Sequence, residues 1–354
     1  LIMIYSIFTT KDATLSEKYP EMNTGIDEVL TVEKISSSSV SPITYNSRTV
    51  LKFDIDWTKI SGSWNNAYLN MYVTEEKNVG ADYILVVNAV SESWDMGLGR
   101  EGHSPKTNVG VSYKYRNKTQ LWSTLGGTTH SGASVGEQSF SDQDKDLRIN
   151  VSSSLTAWSS SAQGEDGFLH YPNDGFMVKR TGSQETDAFS YGSIQFFGQK
   201  THTIYQPRLE ICWVDKVWNA GSLSALSMAE PDENFFYIKS NRGEYTKGSK
   251  IRLSVRGRQR YPAKTHAIKS AELSILYAPE NTITYAIIDA KTGEAIIPHD
   301  SIYTALSCHA TKGNFFEFYS DSLSEERFYT VQLKYSSGTD LAYYNLKETF
   351  RVVR

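Results

Sequence analysis

The sequence contains few cysteines and no long apolar segment. Among its 354 residues only Cys212 and Cys308 are cysteines, whereas a secreted disulfide-stabilised domain normally carries more of them at closer spacing. We therefore expect two reduced thiols. No stretch approaches the roughly 18 consecutive apolar residues that a membrane-spanning helix needs, so no membrane span is expected. The opening LIMIYSIF is short and lacks a basic flank, which argues against a signal peptide and favours a first strand.

Motifs for catalysis are also scarce. No serine lies in a G-x-S-x-G elbow, and the seven histidines occur singly, without H-E-x-x-H spacing. Acidic pairs such as Glu165-Asp166 and Glu325-Glu326 are adjacent in sequence, whereas glycoside hydrolysis needs two carboxylates roughly 5–9 Å apart across a substrate. We therefore expect that the protein is not an enzyme, with no catalytic residue and no cofactor.

One acidic run has the opening pattern of a calcium loop. Asp142, Asp144 and Asp146 stand at every second position. A helix–loop–helix calcium site also needs glycine at the sixth position and an acid at the twelfth, where this chain has Leu147 and Ser153. That type of site is excluded, and we assign no metal ligand. A looser calcium site on a β-sandwich, using Asp142 or Asp144, stays an alternative.

Charge and aromatic content are the first positive signals. The net charge of −4 is too small and too acidic to indicate a nucleic-acid-binding protein. Aromatic residues reach 12%, including 22 tyrosines, and such side chains suit half-buried strand faces and protein interfaces. The 39% of hydrophobic residues can build real cores, and 354 residues are too many for a single core.

Alternation of apolar and polar residues predicts strands along most of the first half. Residues 49–55 and 67–73 are apolar at every second position, as strands with one buried face require. The more continuous apolar run at 81–90 predicts a strand covered on both sides. Only residues 152–158 have the spacing of a short helix. Further strands are predicted at 175–179, Gly192–Phe197 and Arg208–Val214.

The second half predicts a separate sandwich. Residues 216–233 interrupt the strand pattern and are the predicted linker, so we expect one domain over 1–215 and another over 234–354. Short strands at near-regular spacing are typical of an immunoglobulin-like sandwich. These strands are predicted at 235–239, 250–255, 271–276, 284–289, 315–319, 328–334 and 347–353.

Several motifs of the first half occur in a fixed order. They are Asn23-Thr24-Gly25, Ser47-Arg48-Thr49-Val50-Leu51-Lys52-Phe53-Asp54, Ala67-Tyr68-Leu69-Asn70-Met71-Tyr72-Val73, Trp94, Asp146–Trp158, Asn173–Lys179 and Pro207–Trp213. In this order they resemble the motifs of the DNRLRE family, jelly-roll β-sandwich modules related to carbohydrate-binding modules. The resemblance extends over roughly residues 8 to 215 and implies a jelly-roll sandwich. It departs from the family pattern at an insertion of about 96–140, rich in Gly, Ser and Thr, which we expect to form long surface loops.

The most characteristic motif of the second half is the step Leu323-Ser324-Glu325-Glu326-Arg327-Phe328-Tyr329. With this motif the second half resembles an Ig-like C-terminal module of virion structural proteins of large tailed phages, as in cyanobacterial myoviruses. The resemblance implies a structural component of the tail, baseplate or collar. It would be located in the virion, in many copies of a symmetric assembly, and contact other virion proteins. The alternative function is a carbohydrate-binding module that recognises host surface glycans.

Four aromatic residues in or beside the insertion are the candidate site. Trp94, Tyr113, Tyr115 and Trp122 are predicted either to anchor a neighbouring subunit or to stack on sugar rings. Ordering so long a loop costs conformational entropy, so we expect the insertion to be mobile in the free chain. The alternative is that these aromatic side chains fold back on their own sandwich.

Overall fold

The computed structural model describes residues 2–36, 43–61, 63–101, 109–141, 145–159, 171–214, 216–262, 274–338 and 340–354. It is mostly β, with 49% strand and 7% helix, and its sheets are those of antiparallel β-sandwich domains. The all-β prediction is therefore confirmed. Asp142 and Asp144, the alternative calcium ligands, lie outside the described residues.

Among its described residues, the first part of the chain contains twelve strands and two short α-helices. Its helices are α1 (Ser152–Ser159) and α2 (Gly182–Thr186). Its strands are β1 (Ile2–Phe8), β2 (Lys11–Ser16), β3 (Val29–Ser36), β4 (Thr44–Lys52), β5 (Trp64–Met71), β6 (Val73–Lys77), β7 (Tyr83–Val90), β8 (Thr129–Phe140), β9 (Leu147–Asn150), β10 (Phe176–Arg180), β11 (Gly192–Phe197) and β12 (Arg208–Val214).

The remaining part is a further series of strands. They are β13 (Ser224–Ala225), β14 (Asn234–Ile238), β15 (Glu244–Thr246), β16 (Lys250–Gln259), β17 (Leu276–Tyr277), β18 (Ile283–Asp289), β19 (Ala295–Ile297), β20 (Ser307–His309), β21 (Gly313–Tyr319), β22 (Phe328–Ser337) and β23 (Asp340–Val353).

The chain divides into two compact units. The N-terminal unit comprises Ile7–Lys59 and Asn66–Glu210, and the C-terminal unit comprises Leu1–Ser6, Ile60–Asn65 and Ile211–Arg354. Within the predicted linker, β13 pairs in parallel with β17. The predicted domain boundary at residues 216–233 stays a prediction.

Four sheets account for these strands. A four-stranded sheet has the order β1-β12-β5-β9, and an eight-stranded sheet has the order β6-β11-β3-β4-β10-β7-β8, with β2 added on β4. In the C-terminal unit a six-stranded sheet follows the order β13-β17-β16-β21-β20, with β14 added on β16, and a five-stranded sheet follows β15-β23-β22-β18-β19.

The local predictions made from alternation are confirmed for most elements. Strands β11 and β12 have the predicted bounds, and the predicted helix is α1. The continuous apolar run forms β7, which is buried at all of its positions except Ile84 and Asn88. A strand buried on both faces needs a covering layer on each side.

The described part of the insertion contributes to this cover, and this corrects the prediction that the segment forms surface loops. Its mobility in the free chain stays a prediction. Its second half is strand β8, paired with β7. Trp94, just before the insertion, packs against the sheet together with Val111, Tyr113 and Trp122 of the insertion. The resulting cluster, here called the insertion core, also contains Ala13, Leu15, Val50, Val90 and Met177.

Arg48 joins three separate segments beside the insertion core. Its guanidinium forms a bidentate ion pair with Glu185 in α2, with Nε–Oε1 and Nη2–Oε2 distances of 2.7 and 2.9 Å. Its Nη1 donates to the carbonyl of Gly126 at 2.9 Å, and the group lies 5.9 Å from the Tyr113 ring centroid. Such planar paired contacts are among the stronger polar interactions of a protein.

The C-terminal unit has an aromatic core of its own. The rings of Tyr285 and Phe316 stack with centroids 4.1 Å apart, and the ring centroids of Phe318 and Phe350 are 5.8 Å apart. In the characteristic step before β22, Arg327 Nε donates to the buried Asp289 carboxylate at 2.6 Å. Because the charge of Asp289 is balanced there, β18 and the start of β22 are held together.

Two further findings concern the predicted thiols and the membrane. Cys212 and Cys308 are both buried, and no disulfide joins these two described residues. Among the helices of the described ranges, none has both the length and the apolar content needed to cross a membrane.

Asp12 on β2 is a buried carboxyl group in the N-terminal unit. It is 1% exposed and accepts a hydrogen bond from the backbone N–H of Gln199. Burial raises its pKa from 3.8 to about 7, a rise that the Gln199 hydrogen bond and Lys200 oppose and Asp27 reinforces. The folded state therefore binds this proton more tightly than the unfolded chain. The contribution of this group to the free energy of unfolding is fully present below pH 3.8 and is lost as the pH rises through about 7.

We predict that Trp122→Ala destabilises the protein strongly, because the side chain is 4% exposed within the insertion core. The free energy of unfolding should fall by about 3–5 kcal/mol, as measured by urea denaturation. The matched control is Leu125→Ala, whose side chain is 59% exposed in the same segment and which should change stability by about 0.5 kcal/mol at most. Equal, small effects of both substitutions would show that the insertion is not packed.

We also predict that Asp12→Asn removes part of the pH dependence of stability. Between about pH 4 and pH 8 the wild-type protein should lose up to about 4 kcal/mol of unfolding free energy that the variant retains. Urea unfolding at several pH values measures this difference. Asp54→Asn, at an exposed aspartate, is the control for the charge change. Parallel curves for wild type and Asp12→Asn would contradict the prediction.

Candidate functional site

Three of the four aromatic residues of the predicted site are buried in the structure. Trp94, Tyr113 and Trp122 are 3%, 9% and 4% exposed, so they are not available to stack on a ligand. Both indole N–H groups are satisfied internally, since Trp94 donates to the carbonyl of Asp174 and Trp122 to that of Ser112, each at 2.9 Å. Tyr115 is half-buried, with Lys114 Nζ 5.1 Å from its ring centroid. The alternative, in which these side chains fold back on their own sandwich, describes the structure better.

A polar cleft in the N-terminal unit is the best candidate site instead. Two adjoining pockets of about 420 and 190 Å³ share Thr31, Glu101 and Gln195 in their linings. We call them together the polar cleft. Its remaining lining residues are Thr14, Ser16, Lys18, Tyr19, Met22, Thr24, Asp27, Glu28, Val29, Glu33, Ile35, Ser47 and Arg100.

The floor of the polar cleft is formed by residues that strand pairing places next to one another. Ser47 on β4 is paired with Ser16 on β2 and with Glu33 on β3, and Thr31 on β3 is paired with Gln195 on β11. Paired residues of antiparallel strands point to the same face of a sheet. The floor is therefore a continuous set of hydroxyl, carboxylate and amide groups. Successive strand residues alternate between faces, so Ser16 points away from the insertion core.

The walls come from the segment after β2 and from the start of the insertion. Tyr19, at the rim, is 38% exposed, and Lys18 Nζ lies 5.4 Å from its ring centroid. On the other side the backbone N–H of Glu101 donates to the Asp27 carboxylate at 3.2 Å. The Arg100 guanidinium lies 3.9 Å from the same carboxylate. A partly exposed ring thus faces solvent beside a charged wall.

Asn23 holds the two walls in place. Its side-chain Nδ2 donates to the carbonyls of Met96 and Val111, both at 2.7 Å. Its Oδ1 accepts from the backbone N–H of Gly99 at 2.6 Å and of Gly25 at 3.3 Å. An amide side chain has two donor hydrogens and two acceptor lone pairs. All four are used, and the residue is fully buried.

The electrostatic character of the polar cleft is acidic. Four carboxylates, those of Asp27, Glu28, Glu33 and Glu101, line it against the two cations Lys18 and Arg100. Burial raises the pKa of Glu33, and the nearby Glu101 charge raises it further, while Lys18 and a hydrogen bond with Ser47 oppose the rise. A cleft with this balance repels anions and offers many hydrogen-bond acceptors.

The described residues offer no arrangement for metal binding. Within those ranges, no three or more His, Cys, Asp or Glu side chains are placed to hold a metal ion. The polar cleft contains hydroxyl, amide and carboxylate groups next to one exposed ring. Such groups accept and donate hydrogen bonds to a polyhydroxylated ligand, while an aromatic ring packs against the apolar C–H face of a sugar.

Sequence reasoning missed the residues of the polar cleft. Strand β3, which contains Thr31 and Glu33, was not predicted, and Gln195 joins these residues only because β11 pairs with β3. One signal was present, since Asn23-Thr24-Gly25 is among the segments that resemble the DNRLRE family. Its structural role, holding the insertion against the turn after β2, required the fold.

Comparison with known proteins supports part of the predicted resemblance. The family described as carbohydrate-binding module family 96 matches residues 4–98. This segment contains every lining residue of the polar cleft except Arg100, Glu101 and Gln195. The match ends at the start of the insertion, so the predicted resemblance over residues 8 to 215 is supported only in its first part.

Two further comparisons add little. No curated protein matches the chain. Among solved structures, a DUF4785 family protein from Legionella pneumophila covers 100% of this chain at 7% identity with a TM-score of 0.19. The match spans 62% of that protein. A likeness at this level carries no argument, and neither match connects the chain to a tailed phage.

Proposed function

We propose that the protein binds a neutral glycan in the polar cleft of its N-terminal unit. The observation that carries the proposal is the position of the cleft, which is built almost entirely from the segment matched by the carbohydrate-binding family. The alternative function that the sequence left open is thus the better supported one. The predicted tailed-phage structural role and location in a virion gain no support from the comparisons and stay predictions.

The chemistry of the cleft favours a neutral sugar. The carboxylates of Glu33 and Glu101 accept hydrogen bonds from sugar hydroxyls, and Gln195 can both donate and accept. Anionic sugars are disfavoured, because four carboxylates and two cations line the cleft. Tyr19 at the rim supplies the ring on which a sugar face packs.

We predict that Tyr19→Ala weakens binding of the full chain to its neutral polysaccharide about tenfold or more, because the stacking surface is lost. Tyr19→Phe retains the ring and should bind nearly as well as the wild type. Phe189→Ala is the control, since Phe189 is 70% exposed in the same unit but does not line the cleft. Affinity electrophoresis against β-glucan, galactan, mannan and xylan identifies the ligand, and calorimetry then measures the affinities.

Two results would count against this function. Wild-type protein that binds none of the polysaccharides would refute glycan binding by this cleft. Binding that survives Tyr19→Ala and Glu33→Gln unchanged would place the glycan site elsewhere. Release of reducing sugar from a bound polysaccharide would instead show hydrolysis, against the proposal that the protein binds without catalysis.

A further inference from the structure

A second ligand surface lies on the C-terminal unit, where β14 pairs with β16. The register places Phe235 opposite Arg258 and Tyr237 opposite Arg256. The backbone N–H of Lys239 continues this ladder by donating to the carbonyl of Ser254. Because paired residues of antiparallel strands share a face, two aromatic rings and two guanidinium groups stand side by side. We call these four residues with Lys239 the basic aromatic face.

The aromatic part of this face is flat and open to solvent. The rings of Phe235 and Tyr237 stack with centroids 6.1 Å apart and planes inclined by 26°. Phe235 is 41% exposed, and the Arg258 guanidinium lies 4.9 Å from its centroid. The two rings form a short apolar strip with a cation held against it.

The cations of β16 pair with a carboxylate near one end of the strand but not near the other. Near the start of the strand, Lys250 and Arg252 both pair with Glu317. Farther along, Arg256 donates to the carbonyl of Lys312 and Arg258 donates to the carbonyls of Gln259 and Arg260. In the part of the chain that the structure describes, neither of these arginines pairs with a carboxylate.

These cations converge on one pocket. A pocket of about 220 Å³ is lined by Tyr237, Lys239, Arg256, Arg258, Ile275 and Leu276, among others. Two guanidinium groups and an ammonium group around one pocket attract an anion, and guanidinium groups match the planar geometry of a carboxylate. The charge here is opposite in sign to that of the polar cleft.

We propose that the basic aromatic face binds an acidic polysaccharide of the polyuronate class. A polyuronate carries a carboxylate on each ring. Cations at every second residue of a strand, about 7 Å apart, would meet neighbouring carboxylates while sugar rings pack on Phe235 and Tyr237. The inference goes beyond the proposed function, because it concerns a different unit and a ligand of opposite charge preference.

The test measures binding of the full chain to polygalacturonate, with three other polymers for comparison. Dextran has sugar rings without charge, polyglutamate has carboxylates without rings, and oligothymidylate carries phosphates and bases. We expect polygalacturonate to bind most tightly. Arg256→Gln with Arg258→Gln should lower that affinity by at least about tenfold. Phe235→Leu should weaken binding while leaving its salt dependence unchanged.

A matched control separates this site from general charge effects. Arg242→Gln with Lys347→Gln makes the same charge change at two exposed cations outside the face and should alter affinity less than about twofold. Thermal melting establishes that each variant is folded. Tyr19→Ala should retain polygalacturonate binding, so the experiment tests this site independently of the polar cleft.

Three outcomes would overturn the inference. The first is absence of polygalacturonate binding by the wild-type protein. The second is an equal loss of affinity in the two double variants, which would indicate a diffuse charge effect. The third is tighter binding of polyglutamate or oligothymidylate, which would assign the face to an acidic peptide or to a single-stranded nucleic acid.

Discussion

The side-chain amide of Asn23 is the interaction on which the N-terminal unit depends. Three of its four hydrogen bonds connect the turn after β2 to Met96, Gly99 and Val111, and the fourth is accepted from Gly25 within the turn. The approach is so close that a Cβ added to Gly110, which has φ of +119°, would stand 2.7 Å from Nδ2. Loss of the amide would leave four backbone groups to find new partners, and each buried polar group without one costs about 1–3 kcal/mol.

This connection joins stability to the candidate site. The insertion provides buried aromatic side chains for one face of the eight-stranded sheet, and its first residues, Arg100 and Glu101, provide a wall of the polar cleft. Arg48 reinforces the same assembly through Glu185 and Gly126. A change that loosens the insertion should therefore alter the shape of the cleft as well as the free energy of unfolding.

Local sequence patterns predicted the strands well, because alternation depends only on neighbouring residues. Strands β11 and β12 and the helix α1 could be located in this way. The insertion was misinterpreted because its Gly, Ser and Thr content resembles that of a solvent-exposed loop. A contrary signal existed in the continuous apolar run of β7, which required cover on both faces. The sequence does not state which segment provides that cover.

The candidate sites could not be predicted from local patterns, because they depend on pairing between strands that are not consecutive in the chain. Glu33 and Gln195 are 162 positions apart, and only the pairing of β3 with β11 brings their strands together. The basic aromatic face likewise depends on the register of β14 against β16. Aromatic residues drew attention to Trp94 and Trp122, but an aromatic side chain serves a core as readily as a ligand.

Hydrogen exchange on the free, full-length chain tests the central claim most directly, namely that the insertion is a packed part of its own unit. The backbone N–H groups of Val111, Ser112 and Gly126 donate to Asp95, Tyr115 and Tyr113 at 2.7, 2.8 and 2.7 Å. We predict strong protection of these amides in the wild-type protein and its loss in Asn23→Ala. Exchange of the three amides at the rate of an unstructured peptide in the wild type would contradict the account.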